Sequence, residues 1–193
     1  MDSKLNQVKF ELGLLGRGSD FNPLTSESKD YEEWVTNFKP TTCPTCSNLN
    51  GKVFDKENPP PIQPPVHENC NCMIVAMTAI KAGTATIDGF QGADLPIWNG
   101  WGLPDNYVTK DEAEANGYDK YKGNLNEVLP NTFIGGDSYI NKNSKLPSKT
   151  GRVWQEADIN YISGFRNGHR VLYSNDGLHF ATYDHYETFY EIN

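Results

Sequence analysis

The sequence lacks any apolar run long enough to cross a membrane as a helix, which takes about 20 residues. It also lacks the basic start and short apolar stretch of a secretory signal, because it begins Met1-Asp2-Ser3-Lys4. We therefore expect a soluble chain without a membrane partner, a signal peptide or any other readable localisation signal.

Cysteines and basic residues are both scarce. Four cysteines among 193 residues are too few for a disulfide scaffold. Lys and Arg number 17 against 25 Asp and Glu, a net charge of −8, which disfavours a nucleic-acid partner because phosphate binding relies on cationic side chains. All four cysteines lie between Cys43 and Cys72, which indicates a chain of two parts.

Composition divides the chain into four segments. Residues 1–30 are polar and broken by glycines, so we predict an irregular lead-in. Residues 31–77 form a small Cys/His-rich module, and its prolines at 59–65 require an extended loop because proline fixes φ and lacks an amide donor. Residues 78–86 are small and flexible, as in a linker, and residues 87–193 form the larger domain.

The larger domain predicts an α+β fold, in which short helices precede an antiparallel β-sheet. Thr109 and Glu112 form a capping box, and the helix that they open should end at Gly117. A second short helix is expected from Asn124 to Pro130. Strands are predicted over 152–159, 170–174, 178–183 and 188–192, with a tight turn at 175–177.

The predicted strand 152–159 holds a carboxylate on a rigid sheet. Side chains alternate between two faces. The apolar face would carry Val153, Ala157 and Ile159, and the other face Arg152, Trp154, Glu156 and Asp158.

Basic residues and a histidine surround that strand in sequence. They are Lys110 in the first turn of the capped helix, and Arg166, Arg170 and His185 in later turns and strands. This set suits RNA cleavage by internal transesterification, which needs a base, an acid and cations around a pentacoordinate phosphorane. Surface ion pairs and a turn histidine would give the same pattern without catalysis.

Several segments from Leu103 to the C-terminus carry a resemblance that is far more specific than spacing. They are residues 103–110, 122–125, 134–137, 145–147, 151–161, 163–167 and 184–189, including Trp154-Gln155-Glu156-Ala157-Asp158 and Asp184-His185-Tyr186. Together they resemble the barnase family of secreted, guanyl-preferring microbial ribonucleases. The resemblance implies the microbial ribonuclease fold and an RNA substrate, with no cofactor for catalysis.

The resemblance also implies roles for individual residues. Glu156 matches the general base and His185 the general acid, and the two exchange roles when water opens the 2′,3′-cyclic phosphate. Arg166, Arg170 and Lys110 match the cations that hold the scissile phosphate. Supporting positions fall on Asp158, Asp137 and Arg152, and substrate-binding positions on Tyr139, Ile140, Asn141, Lys142, Asn143, Phe165 and Tyr186.

Two parts of the chain depart from the family pattern. The base-recognition loop has Ile140, Lys142 and Asn143 where the family typically has Ser, Arg and Glu, and an amide cannot replace both carboxylate acceptors for guanine. We therefore predict a weaker guanine preference. Ahead of Leu103, Pro96 limits the first helix to a short one or none, and we expect Trp98 and Trp101 to pack on the core.

The cysteine-rich segment offers ligands for a metal. They are Cys43 and Cys46, then His67, Cys70 and Cys72 across a loop. Thiolate and imidazole in two short groups suit a structural Zn²⁺, which would help a stretch with little core to fold. Disulfides, or free thiols in a reducing compartment, are the alternatives.

The same segment carries a second resemblance. Residues 34–36, 43–54 and 64–72 resemble the C-terminal end of the phage Mu F-like minor head, or head morphogenesis, proteins. That family usually has Arg where Asn71 stands, and its long helical region is missing upstream. The resemblance implies a ribonuclease toxin that is packaged in a phage particle or delivered with it to a target-cell cytoplasm, with capsid or portal components as partners.

Two functions from different classes follow. The first is an endoribonuclease toxin on a head-protein module, paired with a barstar-like immunity protein that protects the producing cell. The second is a structural or interaction protein of a phage particle that binds without turnover. The complete set of Glu156, His185, Arg166, Arg170 and Lys110 favours the first.

Overall fold

The computed structural model describes residues 23–36 and 43–193. Its nine strands are β1 Thr25–Thr36, β2 Val53–Asp55, β3 Cys72–Ile80, β4 Tyr107–Val108, β5 Phe133–Tyr139, β6 Trp154–Asp158, β7 Arg170–Ser174, β8 His179–Thr182 and β9 Tyr190–Ile192. The helices are α1 Pro44–Leu49, α2 Asp94–Trp98, α3 Lys110–Ala115 and α4 Leu125–Val128, with a 3₁₀ turn at Gly89–Gln91. No helix among these residues is long and apolar enough to cross a bilayer.

All nine strands join one sheet in the order β2-β1-β3-β9-β8-β7-β6-β5-β4. Antiparallel pairing runs from β5 to β9 and again among β1, β2 and β3. The β4–β5 and β3–β9 pairs are parallel. The predicted α+β class is confirmed, with short helices ahead of an antiparallel meander.

The predicted helix signals act as expected. The Thr109 backbone N–H donates to Glu112 Oε2 at 2.8 Å, the Glu112 N–H donates to Thr109 Oγ1 at 3.3 Å, and Gly117 follows with φ of +94°. Helix α2 is only five residues long, with Pro96 inside its first turn. The helix turns Ile97 to the core and its N-cap Ala93 is also buried, while Trp98 at its end and Trp101 beyond it are 44% and 76% exposed. The expectation that both tryptophans pack on the core was wrong.

Strand β6 is buried on both of its faces. Ala157 packs in a cluster with Val171 and Ile192, whereas Trp154 packs in a second cluster with Leu172 and Phe180. Val153 precedes the strand and is exposed. Ala157 and Ile159 thus lie in one cluster and Trp154 in the other, as the predicted alternation has it, whereas Val153 departs from the predicted apolar face.

The Cys/His-rich module continues the same sheet. Ala79 and Ile80 at the end of β3 pair with Glu191 and Ile192 of β9, and the Asn193 N–H donates to the Ile80 carbonyl at 3.0 Å. The predicted linker 78–86 thus begins inside a strand, and Ala82 and Ala85 lie in the core.

The predicted lead-in also differs in part from the structure. Residues 25–30 belong to β1, and residues 1–22 lie outside the described range. The physical reason for both differences is strand pairing: β3 satisfies the hydrogen-bonding groups at the edge of β9, and β1 in turn pairs with β3.

We expect the module to stabilise the whole chain. Met77 on β3 is 1% exposed and packs in the cluster of Leu172 and Phe180. Met77→Ala should lower the free energy of unfolding by about 2 kcal/mol or more, through lost burial and a residual cavity. Urea unfolding, followed by the loss of catalytic activity as well as by fluorescence, measures the effect on the larger domain.

The matched control is Met73→Ala on the same strand, where the side chain is 53% exposed. A surface change of this kind should stay within about 0.5 kcal/mol. Equal effects of the two substitutions would mean that the module does not share the core of the larger domain.

Candidate active site

Strand β6 presents two carboxylates on one face, because Glu156 and Asp158 are two residues apart. Glu156 pairs with Asp137 of β5 on one side and Leu172 of β7 on the other. It is 6% exposed and Asp158 is fully buried. A rigid, doubly paired strand therefore fixes both side chains.

Both oxygens of Glu156 accept hydrogen bonds. Lys110 Nζ donates to Oε1 at 2.7 Å, and the Tyr186 hydroxyl donates to Oε2 at 2.5 Å. Lys110 is held in place by Asp137, whose carboxylate accepts the Lys110 backbone N–H at 3.1 Å. Four of the predicted site residues are thus in direct contact.

These contacts determine the charge of Glu156. Burial alone would raise its pKa, but the hydrogen bonds from Lys110 and Tyr186, with the nearby charge of Arg170, lower the pKa below the ordinary value for glutamate. Burial, then the Glu156 carboxylate, raise the pKa of Tyr186. Glu156 is therefore an ionised acceptor, and Tyr186 remains a protonated donor.

Asp158 organises the two arginines. Arg166 binds it through two hydrogen bonds, Nε to Oδ2 and Nη2 to Oδ1, both at 2.6 Å. Arg170 Nε lies 2.9 Å from Asp158 Oδ1, and its Nη1 donates to the His169 carbonyl at 2.6 Å. A fork of this kind fixes the guanidinium plane as well as its position.

His185 lies at an exposed loop tip with φ of +58°. Asp184 shapes the loop by accepting the Thr188 N–H at 2.9 Å, and the His185 N–H donates to the Gly168 carbonyl at 3.1 Å. A Cβ on Gly168 would lie 3.2 Å from the His185 Cβ, so the glycine permits this close approach. The ring centroids of His185 and Tyr186 are 4.8 Å apart, so the imidazole lies beside the residue that is bound to Glu156.

The loop after β5 closes through Asn141. Its side chain accepts the Leu146 N–H at 3.1 Å and donates to the Leu146 carbonyl at 2.7 Å. Asn141 therefore shapes the loop, whereas Ile140, Lys142 and Asn143 are exposed. Tyr139 stacks on Tyr186, with ring centroids 5.0 Å apart.

Lys145 is a contact that sequence reasoning missed. Its Nζ donates to the carbonyls of Tyr186 and Glu187 at 3.3 and 3.0 Å, and its own carbonyl accepts the Val53 N–H at 2.7 Å. Lys145 thereby joins the loop, the His185 turn and the module. In the sequence, Lys145 is marked only by its place in segment 145–147, which belongs to the resemblance to the barnase family.

Two predicted residues contact parts of the chain other than the Glu156 carboxylate. Arg152 binds Asp176 with Nη2 at 2.8 Å from Oδ2 and donates through Nη1 to the Pro147 carbonyl at 2.7 Å, so it supports the loop. Phe165 is exposed. Its backbone passes so close to Gly123 that a Cβ added to Gly123 would lie 2.8 Å from the Phe165 nitrogen. Among the described residues, neither side chain forms a hydrogen bond or an ion pair with the Glu156 carboxylate.

The predicted metal ligands also converge. Within the described residues, two groups have donor atoms within 4.8 Å of one another, and they share Cys46. The groups are Cys43, Cys46 and His67, and Cys46, Cys70 and Cys72.

The site around Glu156 combines an ionised acceptor, an accessible imidazole and three cationic side chains. Such a set can remove one proton, supply another and stabilise negative charge that develops between them.

Comparison with known proteins gives one consistent result. A family model described as ribonuclease matches residues 99–193. A protein named Ribonuclease from Bacillus intermedius is 51% identical over 118 residues, which cover 61% of this chain and 73% of that protein. Another, from Heyndrickxia coagulans, is 51% identical over 108 residues, or 56% of this chain and 99% of that protein.

Proposed function

This chain belongs to the ribonuclease family as a barnase-like ribonuclease, and we propose that it cleaves single-stranded RNA in two steps. The first is transesterification to a 2′,3′-cyclic phosphate, and the second is hydrolysis of that ring. The observation that carries the proposal is the contact of ionised Glu156 with Lys110 and Tyr186, beside arginines held by Asp158.

Proton transfer falls to Glu156 and His185. Glu156 takes the proton of the 2′-hydroxyl, since a carboxylate oxygen that accepts one hydrogen bond has a further lone pair. His185 protonates the 5′-oxygen as it leaves. In the second step His185 takes a proton from water and Glu156 returns one to the 2′-oxygen.

The negative charge on the phosphorane is stabilised by Lys110, Arg166 and Arg170. Their heads are held before substrate arrives, through Glu156 and Asp137 for the lysine and through Asp158 for the arginines. Donors that are already oriented need little reorganisation as charge develops. We therefore expect catalysis without a metal ion.

The direct test is incubation of the purified chain with RNA in excess EDTA. Products that end in a 2′,3′-cyclic phosphate and later convert to a 3′-phosphate would support the proposal. Binding without such products would instead favour the alternative, a non-catalytic structural or interaction protein.

We expect this chain to prefer guanine less strongly than family members that have the usual base-recognition loop. Asn143 stands where that pattern has a glutamate, and a hydrogen bond to a charged group contributes about 1.5 to 3 kcal/mol. Asn143→Glu should therefore raise the ratio of GpN to ApN cleavage rates about tenfold or more. The neutral control, Asn143→Gln, should leave it unchanged. A wild-type chain that already strongly prefers GpN would contradict this prediction.

A barstar-like immunity protein is the partner that we propose. The 9 basic and 15 acidic residues after residue 84 give this part a net charge of −6. The basic side chains near the site therefore form a local positive region on an otherwise acidic domain. An acidic inhibitor would dock among Lys110, Lys142, Arg166 and Arg170. With barstar as the probe, the association rate should fall steeply with added salt. A rate that does not change with salt would rule out this electrostatic docking.

The biological setting that we propose is a toxin carried with phage particles and acting in a target-cell cytoplasm. The head-protein-like residues 43–54 and 64–72 support this setting, with capsid or portal components as partners. Co-sedimentation of the chain with purified particles would check it.

A further inference from the structure

The Cys/His cluster of the module lies where three pieces of chain meet. Cys43 caps helix α1 and Cys46 lies within it. His67 and Cys70 belong to the loop before β3, and Cys72 begins that strand. Residues 24 positions apart, Cys46 and Cys70, thus bring their Sγ atoms to 3.9 Å.

Two spacings between donor atoms, both from Cys46, match those of a tetrahedral metal site. Bonds of about 2.3 Å to sulfur and about 2.0 Å to nitrogen separate ligands of a tetrahedral zinc by about 3.5 to 3.8 Å. Cys46 Sγ lies 3.5 Å from His67 Nε2 and 3.9 Å from Cys70 Sγ. Cys43 shares a group with Cys46 and His67 within 4.8 Å. We propose that Cys43, Cys46, His67 and Cys70 bind one structural Zn²⁺.

The histidine is oriented for this role. His67 Nδ1 lies 2.8 Å from the Glu68 carbonyl, which can only accept, so Nδ1 carries the proton. Nε2 then has its lone pair free and faces Cys46 Sγ. A ligating histidine in zinc sites is typically fixed by a hydrogen bond of this kind on its other nitrogen.

Cys72 is the fifth candidate ligand and stands outside the proposed set, although its donor atom lies within 4.8 Å of those of Cys46 and Cys70. It pairs with Thr36 as the first residue of β3, so its backbone position follows the sheet. Four protein ligands already fill a tetrahedral structural site, which leaves no open position for a substrate.

The site explains how a stretch with little core holds together. Between Asp55 and Cys72 the chain, all of it described, has no helix or strand. A metal at Cys46 would tie this loop to α1. Strand β2 follows α1, and the N–H of its residue Val53 donates to the carbonyl of Lys145 at 2.7 Å. Free energy of metal binding would then contribute directly to folding of the module.

The experiment measures zinc in the full chain, made in the Glu156→Ala background to prevent damage to the host. Apoprotein is reconstituted with Zn²⁺ under reducing conditions, dialysed against metal-free buffer and analysed by elemental mass spectrometry. We expect one zinc per chain. Single changes of the four ligands, Cys to Ser and His67→Ala, should each reduce the zinc content severalfold, while Cys72→Ser and Ser47→Ala should retain it.

A second readout separates ligand loss from failure to fold. Cobalt-substituted protein should show the visible absorption of a tetrahedral site with thiolate ligands, and that band should persist in Cys72→Ser. Absence of bound zinc, or disulfides that survive in the reconstituted protein, would overturn the proposal. Loss of zinc from Cys72→Ser together with its retention in Cys70→Ser would overturn the ligand set.

Discussion

Glu156→Ala is expected to lower kcat/KM for RNA cleavage by about 10² to 10⁴, the usual contribution of a positioned general base. The substitution removes the acceptor for the 2′-hydroxyl proton and leaves Lys110 and Tyr186 without their shared partner. Initial rates with a dinucleotide substrate measure the effect, because such a substrate has a single phosphodiester bond to cleave.

The matched control is Glu114→Ala, since Glu114 is an exposed carboxylate on helix α3. It should leave kcat/KM unchanged. Unchanged cleavage in Glu156→Ala itself would contradict the proposed mechanism, provided that circular dichroism shows the variant to be folded.

The pH profile distinguishes a general base from a merely structural carboxylate. Burial raises the pKa of Glu156, but the hydrogen bonds from Lys110 and Tyr186 lower the pKa by more than burial raises it. The base therefore stays ionised at pH values where an ordinary glutamate would be protonated. The acidic limb of kcat/KM should therefore lie at low pH. Tyr186→Phe removes one of these donors and should move that limb to higher pH.

Asp158→Asn is expected to reduce the free energy of unfolding by about 3 to 5 kcal/mol, the cost of breaking a buried ion pair by removal of one partner. Asp158 is fully buried, between two hydrogen bonds from Arg166 and the Nε of Arg170 at 2.9 Å. The neutral amide would leave two largely buried guanidinium groups without a counter-charge. Urea unfolding at neutral pH measures the loss.

The control is Asp119→Asn, which breaks an exposed pair with Lys122 at 3.5 Å. Exposed pairs of this kind contribute between about 0 and 1 kcal/mol. If Asp158→Asn were no more costly than this control, Asp158 would not be what holds the two arginines in place.

Local signals in the sequence predicted local structure correctly. The capping box of Thr109 and Glu112 satisfies its own backbone donors, and Gly177 adopts φ of +90° in the predicted turn. Such features depend on a few adjacent residues, so they can be identified without the rest of the chain.

Signals that depend on distant residues were missed. Helix α2 turns Ile97 to the core and leaves Trp98 44% exposed, and Trp101, three residues after the helix, is exposed as well. The contact of the Asn141 side chain with the backbone of Leu146 was also not predicted, whereas its place among the substrate-binding positions stays a prediction. Which polar group a side chain meets is decided by the folded loop.

By itself, the sequence determined the α+β order of the larger domain and the family, and it named the residues that meet around Glu156. Only the tertiary structure decided that the Cys/His-rich module shares the sheet and the core. The pairing of Ala79 with Glu191 joins residues far apart in sequence, and no local pattern records which open strand edge another strand will meet. The same folding event brings Val53 to Lys145 and so connects the module to the loop beside the site.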